Sequence, residues 1–332
     1  MERITLILPC YNEAAGLGAL AERLSQVLPG IAQSARVAFE LVFIDDGSRD
    51  STCAILQELC FAWPSRLLVL SRNFGKEAAL TAGMDAATGD AVIFMDADLQ
   101  HPPELIEPLI ENWRQGHEVV YFYKSSRQGE GSGRRGGARL FYWLINFGTR
   151  FDISTNAGDF RLLDRKVVDS LRRLPERERF LKGLYAWVGY DQIGLPYEVA
   201  ERHDGGPTRF TSARLFGLAI DGLTSFSVAP IRLISLFGFS VCALSFLYLI
   251  WIIGERLIVG SPFSGFATIV VLVVFFGGVQ LVCLGIIGEY VGKALLEAKQ
   301  RPTYIVKEQV ELAGGLDKEE MDLSADLVRQ QA

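Results

Sequence analysis

The chain has 332 residues, 49% of them hydrophobic, and a formal net charge of −6. That length suits one sizeable domain plus a smaller element, and the acidic balance excludes nucleic acid as a bulk partner, since phosphate binding calls for a basic surface. Five cysteines (Cys10, Cys53, Cys60, Cys242 and Cys283) show no CxxC and no paired ligand spacing, which excludes a disulfide frame and a cysteine-based zinc centre.

From residue 4 to about residue 122, short β-rich runs alternate with longer amphipathic ones, the pattern of an α/β fold with a mostly parallel sheet. The expected strands are ITLIL (4–8), LVFI (41–44), LLVL (67–70), AVIFM (91–95) and VVYF (119–122). Between them, Leu17, Leu20, Leu24, Val27 and Leu28 recur at helical spacing. So do Ile106, Leu109, Ile110 and Trp113, after the helix-starting HPPE.

The stretch KSSRQGEGSGRRGGA (124–138) breaks the pattern and reads as a mobile basic loop. It leads into RLFYWLINFGTRF, an aromatic segment with Arg139 and Arg150 at its ends that suits a helix in a membrane interface at about 139–151. A second segment of this kind, about 209–232, runs into the first of two charge-free stretches, 233–254 and 266–288. At roughly 1.5 Å rise per residue each reaches about 30 Å, the thickness of a bilayer's hydrocarbon core, so both are expected to be transmembrane helices.

The chain opens directly on a strand pattern with no signal-like segment ahead of it, so the large N-terminal part is expected in the cytoplasm. Arg209, Arg214 and Arg232 before the first span, and Lys293, Lys299, Arg301 and Lys307 after the second, stand against Arg256 alone in the connecting loop. That asymmetry places both termini on the cytoplasmic side. The last residues are polar, and 289–332 reads as a cytoplasmic tail with a frayed end.

Asp96 and Asp98 carry the clearest chemistry. In an extended segment they project to one side while Ala97 points away, and they stand at the carboxyl end of a strand, where α/β sheets bind ligands. Two bare carboxylates there repel, and a hard divalent cation, Mg2+ or Mn2+, relieves this by bridging them to substrate phosphates. A pair of solvated turn aspartates is the plain alternative. Further polar clusters end the first two strands: PCYNE (9–13) and DDGSRDST (45–52).

Tyr11 is placed to meet a base or ribose and Glu13 to accept from ribose hydroxyls, while Asp45 or Asp46 could accept from a nucleobase N–H. Ser48 and Asp50 read equally well as a turn and a helix N-cap. Lys76, at a loop-to-helix junction, is positioned to reach a phosphate or is simply solvated. One decoy is set aside: GLGALA (16–21) spells a dinucleotide fingerprint, but CYNEAA separates it from the strand that the motif should follow directly.

The pieces YNE, DDGSRDST, RNFGKEAALTAG, MDADLQHPPE, AGDFRLLDR, RFLKGLYAWVG, DGLTSFSVAPIRL and RPTYIV follow one another as in family 2 glycosyltransferases that charge polyprenyl phosphates. The chain resembles the bactoprenol glucosyltransferases and dolichol-phosphate mannose synthases from residue 4 to about 307. The resemblance implies a GT-A catalytic domain (1–208), a nucleotide-sugar donor with UDP-glucose favoured, an undecaprenyl phosphate acceptor, a homotetramer and a bacterial inner-membrane location. UDP-N-acetylglucosamine, UDP-galactose and GDP-mannose stay open as donors.

By the same resemblance Pro9, Tyr11, Glu13 and Asp46 line the nucleotide pocket, with Asp45, Lys76 and Ala97 beside it. Asp96 and Asp98 hold the metal and Gln100 reaches the diphosphate or sugar. Lys124, Arg127, Arg134 and Arg135 meet donor diphosphate and acceptor phosphate, Arg127 foremost because a guanidinium makes bidentate contact. Asp159 and Arg161 form the acceptor-side motif, Asp159 as orienting group or general base. Arg202 and Arg209 complete the phosphate contacts, in a segment (ERHDGGPTRF) one residue longer than the family's and with Arg in place of Lys. A processive polysaccharide synthase shares such a crevice but carries a Q-x-x-R-W motif, and no Arg-Trp pair occurs here; a catalytically inactive membrane scaffold is the remaining alternative.

Overall fold

The computed structural model describes residues 1–124, 157–177, 179–197, 229–259 and 265–312. They belong to two compact units: Met1–Arg139, Phe151–Thr211 and Pro302–Ala332 make the first, Leu140–Arg150 and Ser212–Arg301 the second. The basic loop with Arg127, Arg134 and Arg135, the expected interface helix at about 139–151, residues 209–228 of the second one expected at about 209–232, and Arg202 and Arg209 lie outside the described residues; 229–232 open a long helix.

The first unit is a mixed eight-stranded sheet of the Rossmann-like, GT-A type. In chain order it comprises β1 (Glu2–Cys10), α1 (Leu17–Ala35), β2 (Val37–Asp45), α2 (Thr52–Glu58), β3 (Ser65–Leu70), α3 (Lys76–Ala86) and β4 (Ala91–Phe94). There follow α4 (Ile106–Arg114), β5 (Val119–Lys124), β6 (Ala157–Asp164), α5 (Arg165–Arg172), α6 (Leu181–Trp187), β7 (Gln192–Tyr197) and, after the second unit, β8 (Val306–Glu311). The strand order is β7-β5-β6-β4-β1-β2-β3-β8. Strands β4, β1, β2 and β3 are parallel, so their carboxyl ends share one edge.

The sequence dictates this centre. Ile4 to Leu8 of β1 and all of β4 are buried, as befits strands covered on both faces. Leu17, Leu20, Leu24, Leu28 and Ile31 of α1 sink one helical stripe into the core, each contributing about 1.5–3 kcal/mol of burial. Strands β6, β7 and β8 are additions to the sequence reading. β6 inserts antiparallel between β4 and β5, and β8 closes the far edge antiparallel to β3. Residues 306–311, read from the sequence within a tail, therefore belong to the sheet.

In the second unit, Ala229–Val259 and Phe266–Ala298 form two helices, α7 of 31 residues and α8 of 33. Among the described residues, one stretch, Phe275–Ala298, is long and apolar enough to cross a membrane, and a shorter apolar helical stretch covers Ile234–Tyr248. Their large side chains point outward: Phe239 is 75% and Leu281 72% exposed. A water-soluble surface rarely carries so continuous an apolar face.

Candidate active site

Two aspartate clusters stand at the carboxyl edge of the sheet. The first ends β2. Asp45 and Asp46 are both nearly fully buried, and burial, the larger influence on each, raises both carboxyls above their ordinary range. Asp46 accepts hydrogen bonds from the backbone N–H groups of Phe74 (2.8 Å) and Gly75 (2.9 Å) and from the Asn73 amide (2.9 Å).

Gly47, at φ +66°, lets this turn pass against the next loop: a Cβ there would stand 2.4 Å from the Arg72 carbonyl carbon. Ser48 and Thr52 accept from the backbone N–H groups of Asn12 and Glu13 (both 2.9 Å), and Asp50 accepts from Thr52 N–H (3.0 Å). The polar residues after β1 and β2 thus knit their two loops together, the turn part of the reading of Ser48 and Asp50; the N-cap position of α2 is Ser51, whose side chain makes no capping bond. Pro9, Tyr11 and Glu13 remain partly exposed above this knot.

The second cluster follows β4. The strand stops where Met95 N–H bonds Ile7 carbonyl, and the chain turns through Leu99 in the left-handed region (φ 56°), with Gln100 N–H donating to Asp98 (3.1 Å). A left-handed leucine is a strained conformation of the kind that gathers at functional sites. The turn brings one ligand atom each of Asp96, Asp98 and His101 within 4.8 Å of one another, while Ala97 is buried beneath.

His101 was absent from the sequence reading although it stands in the same motif. Its ring is 7% exposed, packs beside Phe160 and Tyr197 (centroids 5.2 and 5.3 Å), and Nε2 lies 2.8 Å from the Tyr197 hydroxyl. Nδ1 has no hydrogen-bond partner among the described residues. A buried, orphaned imidazole nitrogen beside two carboxylates is a donor set that suits a divalent cation. Burial lowers the His101 pKa, against the pull of Asp96 and Asp98, and so favours the neutral, ligating form.

Opposite them lies Asp159. The antiparallel register of β4 and β6 ends where Phe94 pairs with Arg161, two residues from Asp96 on one side and from Asp159 on the other. Lys76, the first residue of α3, bridges the two: its Nζ is 2.6 Å from Asp96 and 2.7 Å from Asp159. Lys182 on α6 holds the other Asp159 oxygen at 3.0 Å. Burial alone would raise the Asp159 carboxyl, but Lys76 and Lys182 outweigh it and hold it well below the usual carboxylate range. Burial likewise acts to lower the Lys76 ammonium, and Asp96 and Asp159 together raise it above an ordinary lysine.

Arg161, assigned by resemblance to the acceptor phosphate, is 2% exposed; its guanidinium lies 4.0 Å from the Tyr185 ring centre and donates to Gly158 carbonyl (2.6 Å). From there it adds positive charge behind Asp159. Gln100 is partly exposed at the turn, and Lys124 ends β5 in register with Tyr197, the residue that holds His101. The structure therefore gathers Lys76, Asp96, Asp98 and Asp159, with His101 and Lys182 added, while Asp45 ends β2 and Asp46 follows it on the same edge of the sheet.

Residues 5–172 match the model of glycosyl transferase family 2. An uncharacterized glycosyltransferase of Synechocystis is 42% identical over 309 residues, 92% of this chain and 95% of its own. A bactoprenol glucosyl transferase of Shigella phage SfV is 40% identical over 308 residues, covering 92% of this chain and 99% of that one. A prophage bactoprenol glucosyl transferase homolog of Escherichia coli is 39% identical over 306 residues, with 92% and 98% covered.

Proposed function

The chain belongs to glycosyl transferase family 2 and is a glycosyltransferase, and from that premise we propose that it moves a single hexose from a nucleotide sugar to a polyprenyl monophosphate at a membrane. Undecaprenyl phosphate is the acceptor and UDP-glucose the donor that we favour. The observation that carries this reading is the Asp96–Asp98–His101 cluster facing Asp159 across Lys76. The bactoprenol glucosyl transferases that match over 92% of this chain support the choice of acceptor and sugar.

In the reaction an oxygen of the lipid phosphate attacks C1 of the sugar, the bond from C1 to the donor diphosphate breaks, and the configuration inverts. A phosphate monoester has its second pKa near 6 and is mostly a dianion at neutral pH, so the nucleophile arrives already deprotonated. Asp159 suits that chemistry. Held ionised by Lys76 and Lys182, it is a poor proton acceptor and a good fixed anion, which keeps two ammonium groups aimed at the place where phosphates meet.

Asp96 and Asp98, with His101 beside them, would hold a Mg2+ or Mn2+ ion, which supplies positive charge against the departing diphosphate. Lys124 and the basic residues Arg127, Arg134, Arg135, Arg202 and Arg209 supply the remaining phosphate contacts in this reading, and Pro9, Tyr11, Glu13 and Gln100 those to the nucleotide and sugar. Residues 233–254 and 266–288 span the bilayer with both termini cytoplasmic, bringing the buried acceptor tail to a homotetrameric enzyme.

The test is transfer of label from a panel of nucleotide sugars into organic-extractable lipid, with purified protein, undecaprenyl phosphate and Mg2+ or Mn2+. A labelled product from UDP-glucose supports the proposal as stated. A product from another donor of the panel moves only the sugar, and no product from any of them sinks the reading.

A further inference from the structure

Lys76 occupies a place that helix electrostatics disfavour. It is the first residue of α3, where the unpaired N–H groups make a positive end and a cation is unwelcome. It is nevertheless held there by two carboxylates, one from the turn after β4 and one from β6, at 2.6 and 2.7 Å. One of these, Asp96, belongs to the cluster fitted for a divalent cation; the other, Asp159, does not. The same ammonium therefore neutralises the donor-side carboxylate and the acceptor-side carboxylate at once.

A divalent cation on Asp96 would stand about 2 Å from a carboxylate oxygen whose neighbourhood this ammonium already fills, and two cations that close repel strongly. Lys76 can give way at small cost. Its side chain is 40% exposed, and Asp159 keeps it paired after Asp96 is taken. Lys182, by contrast, pairs with Asp159 and, among the described residues, with neither metal carboxylate, so it has nothing to yield.

We propose that Lys76 is the resident counter-cation of the metal-free site: it competes with the divalent ion for Asp96 and, once displaced, rests on Asp159, so that loading the donor side is felt by the acceptor-side carboxylate. This rests on reading Asp96 and Asp98 as the metal carboxylates. It makes Lys76 a positioning residue, acting through the aspartates, in addition to the ammonium charge it offers to phosphates. A lysine that merely held the fold would leave the affinity for metal unchanged or weaken it when removed. A competing lysine has the opposite signature.

The experiment is Mn2+ binding to the full-length protein in detergent, followed by the electron paramagnetic resonance signal of the free ion, without donor or acceptor and then with UDP or GDP. Lys76→Met and Lys76→Gln should bind Mn2+ about threefold to fivefold more tightly than the parent, the range of a partly exposed ion pair, although both transfer sugar more slowly. Lys76→Arg, which keeps the charge, and Lys182→Met should stay within about twofold of the parent.

Unchanged or weaker Mn2+ binding in the two neutral variants, with thermal midpoints near the parent's, overturns the proposal. Should neither variant fold, Asp159→Asn reads the same competition from the other side. It leaves Lys76 on Asp96 alone and should weaken Mn2+ binding, and unchanged affinity there overturns the proposal too. A parent protein that binds no Mn2+, even with a nucleoside diphosphate, refutes the metal reading itself and the inference with it.

Discussion

The aspartates after β2 and those after β4 stand on one edge of the same sheet, yet their surroundings differ in kind. Asp46 is buried, and three donors from the 73–75 loop satisfy it. Asp96 and Asp98 are partly exposed, converge with a histidine whose Nδ1 has no partner among the described residues, and are balanced by a lysine that reaches in from another element. A carboxylate whose acceptor positions are taken by its own chain is architecture, and one whose charge is met by a movable cation is poised for a ligand. Position at a strand end is shared by both; hydrogen-bond saturation tells them apart.

The sharpest way to break that distinction is to remove the charge from each cluster in turn. Asp96→Ala or Asp98→Ala should lower sugar transfer by about a thousandfold or more while the thermal midpoint stays put, since electrostatic stabilisation of a leaving group is the largest catalytic effect at such a site. Circular dichroism melts beside the transfer assay check this. An equal loss of fold would place these carboxylates with the architectural pair.

Asp46→Ala should do the reverse. It orphans three donors, with a loss of about 1–3 kcal/mol for each that stays buried, so the protein melts early while the folded fraction still transfers sugar. Urea unfolding of the variant measures that loss. Next in size, His101→Phe keeps the ring against Phe160 and removes both nitrogens; about a tenfold loss in metal affinity is expected, with transfer falling in parallel. Unaltered Mn2+ binding would show His101 to be packing alone.

The smallest effect is in pH. Glu77 lines one small cavity with Asp159, Lys182 and Lys76 and accepts from Leu181 N–H, and burial with the Asp159 charge raises its pKa to about 7. A carboxyl raised on folding keeps its proton in the native state after the unfolded chain has lost it. Its contribution to stability is therefore greatest below the unfolded value and falls as pH rises from about 4.5 towards about 7. Glu77→Gln should flatten that part of the stability profile, measured by thermal midpoint against pH, and a profile unchanged by the substitution contradicts the assignment.

Much of this contrast was legible in the chain. The five β-rich runs are five strands of the sheet, because strands buried on both faces read as continuous apolar stretches. Asp96 and Asp98 announced themselves by spacing. Asp159 did not: its place across Lys76 from Asp96 depends on β6 pairing antiparallel with β4, and AGDFRLLD puts Asp and Arg where an isolated strand would show apolar alternation.

His101 was hidden by HPPE, which reads as a helix start; only Tyr197, nearly a hundred residues on, turns its ring nitrogen into a fixed and buried group. β8, VKEQVE, is a mostly exposed edge strand with no hydrophobic signature to find. The bond pattern of Asp46 was equally invisible, because its donors come from a loop whose position Gly47 permits and no local motif encodes.

The central claim is that the β4 aspartates act on the reaction and the β2 aspartates on the fold. It is tested most directly by measuring metal-dependent sugar transfer to undecaprenyl phosphate and the thermal midpoint together in the parent, Asp96→Asn and Asp46→Asn. The account predicts that Asp96→Asn loses transfer and keeps its melting temperature, while Asp46→Asn loses melting temperature and keeps transfer per folded molecule. An Asp96→Asn protein that still transfers sugar at the parental rate would contradict it.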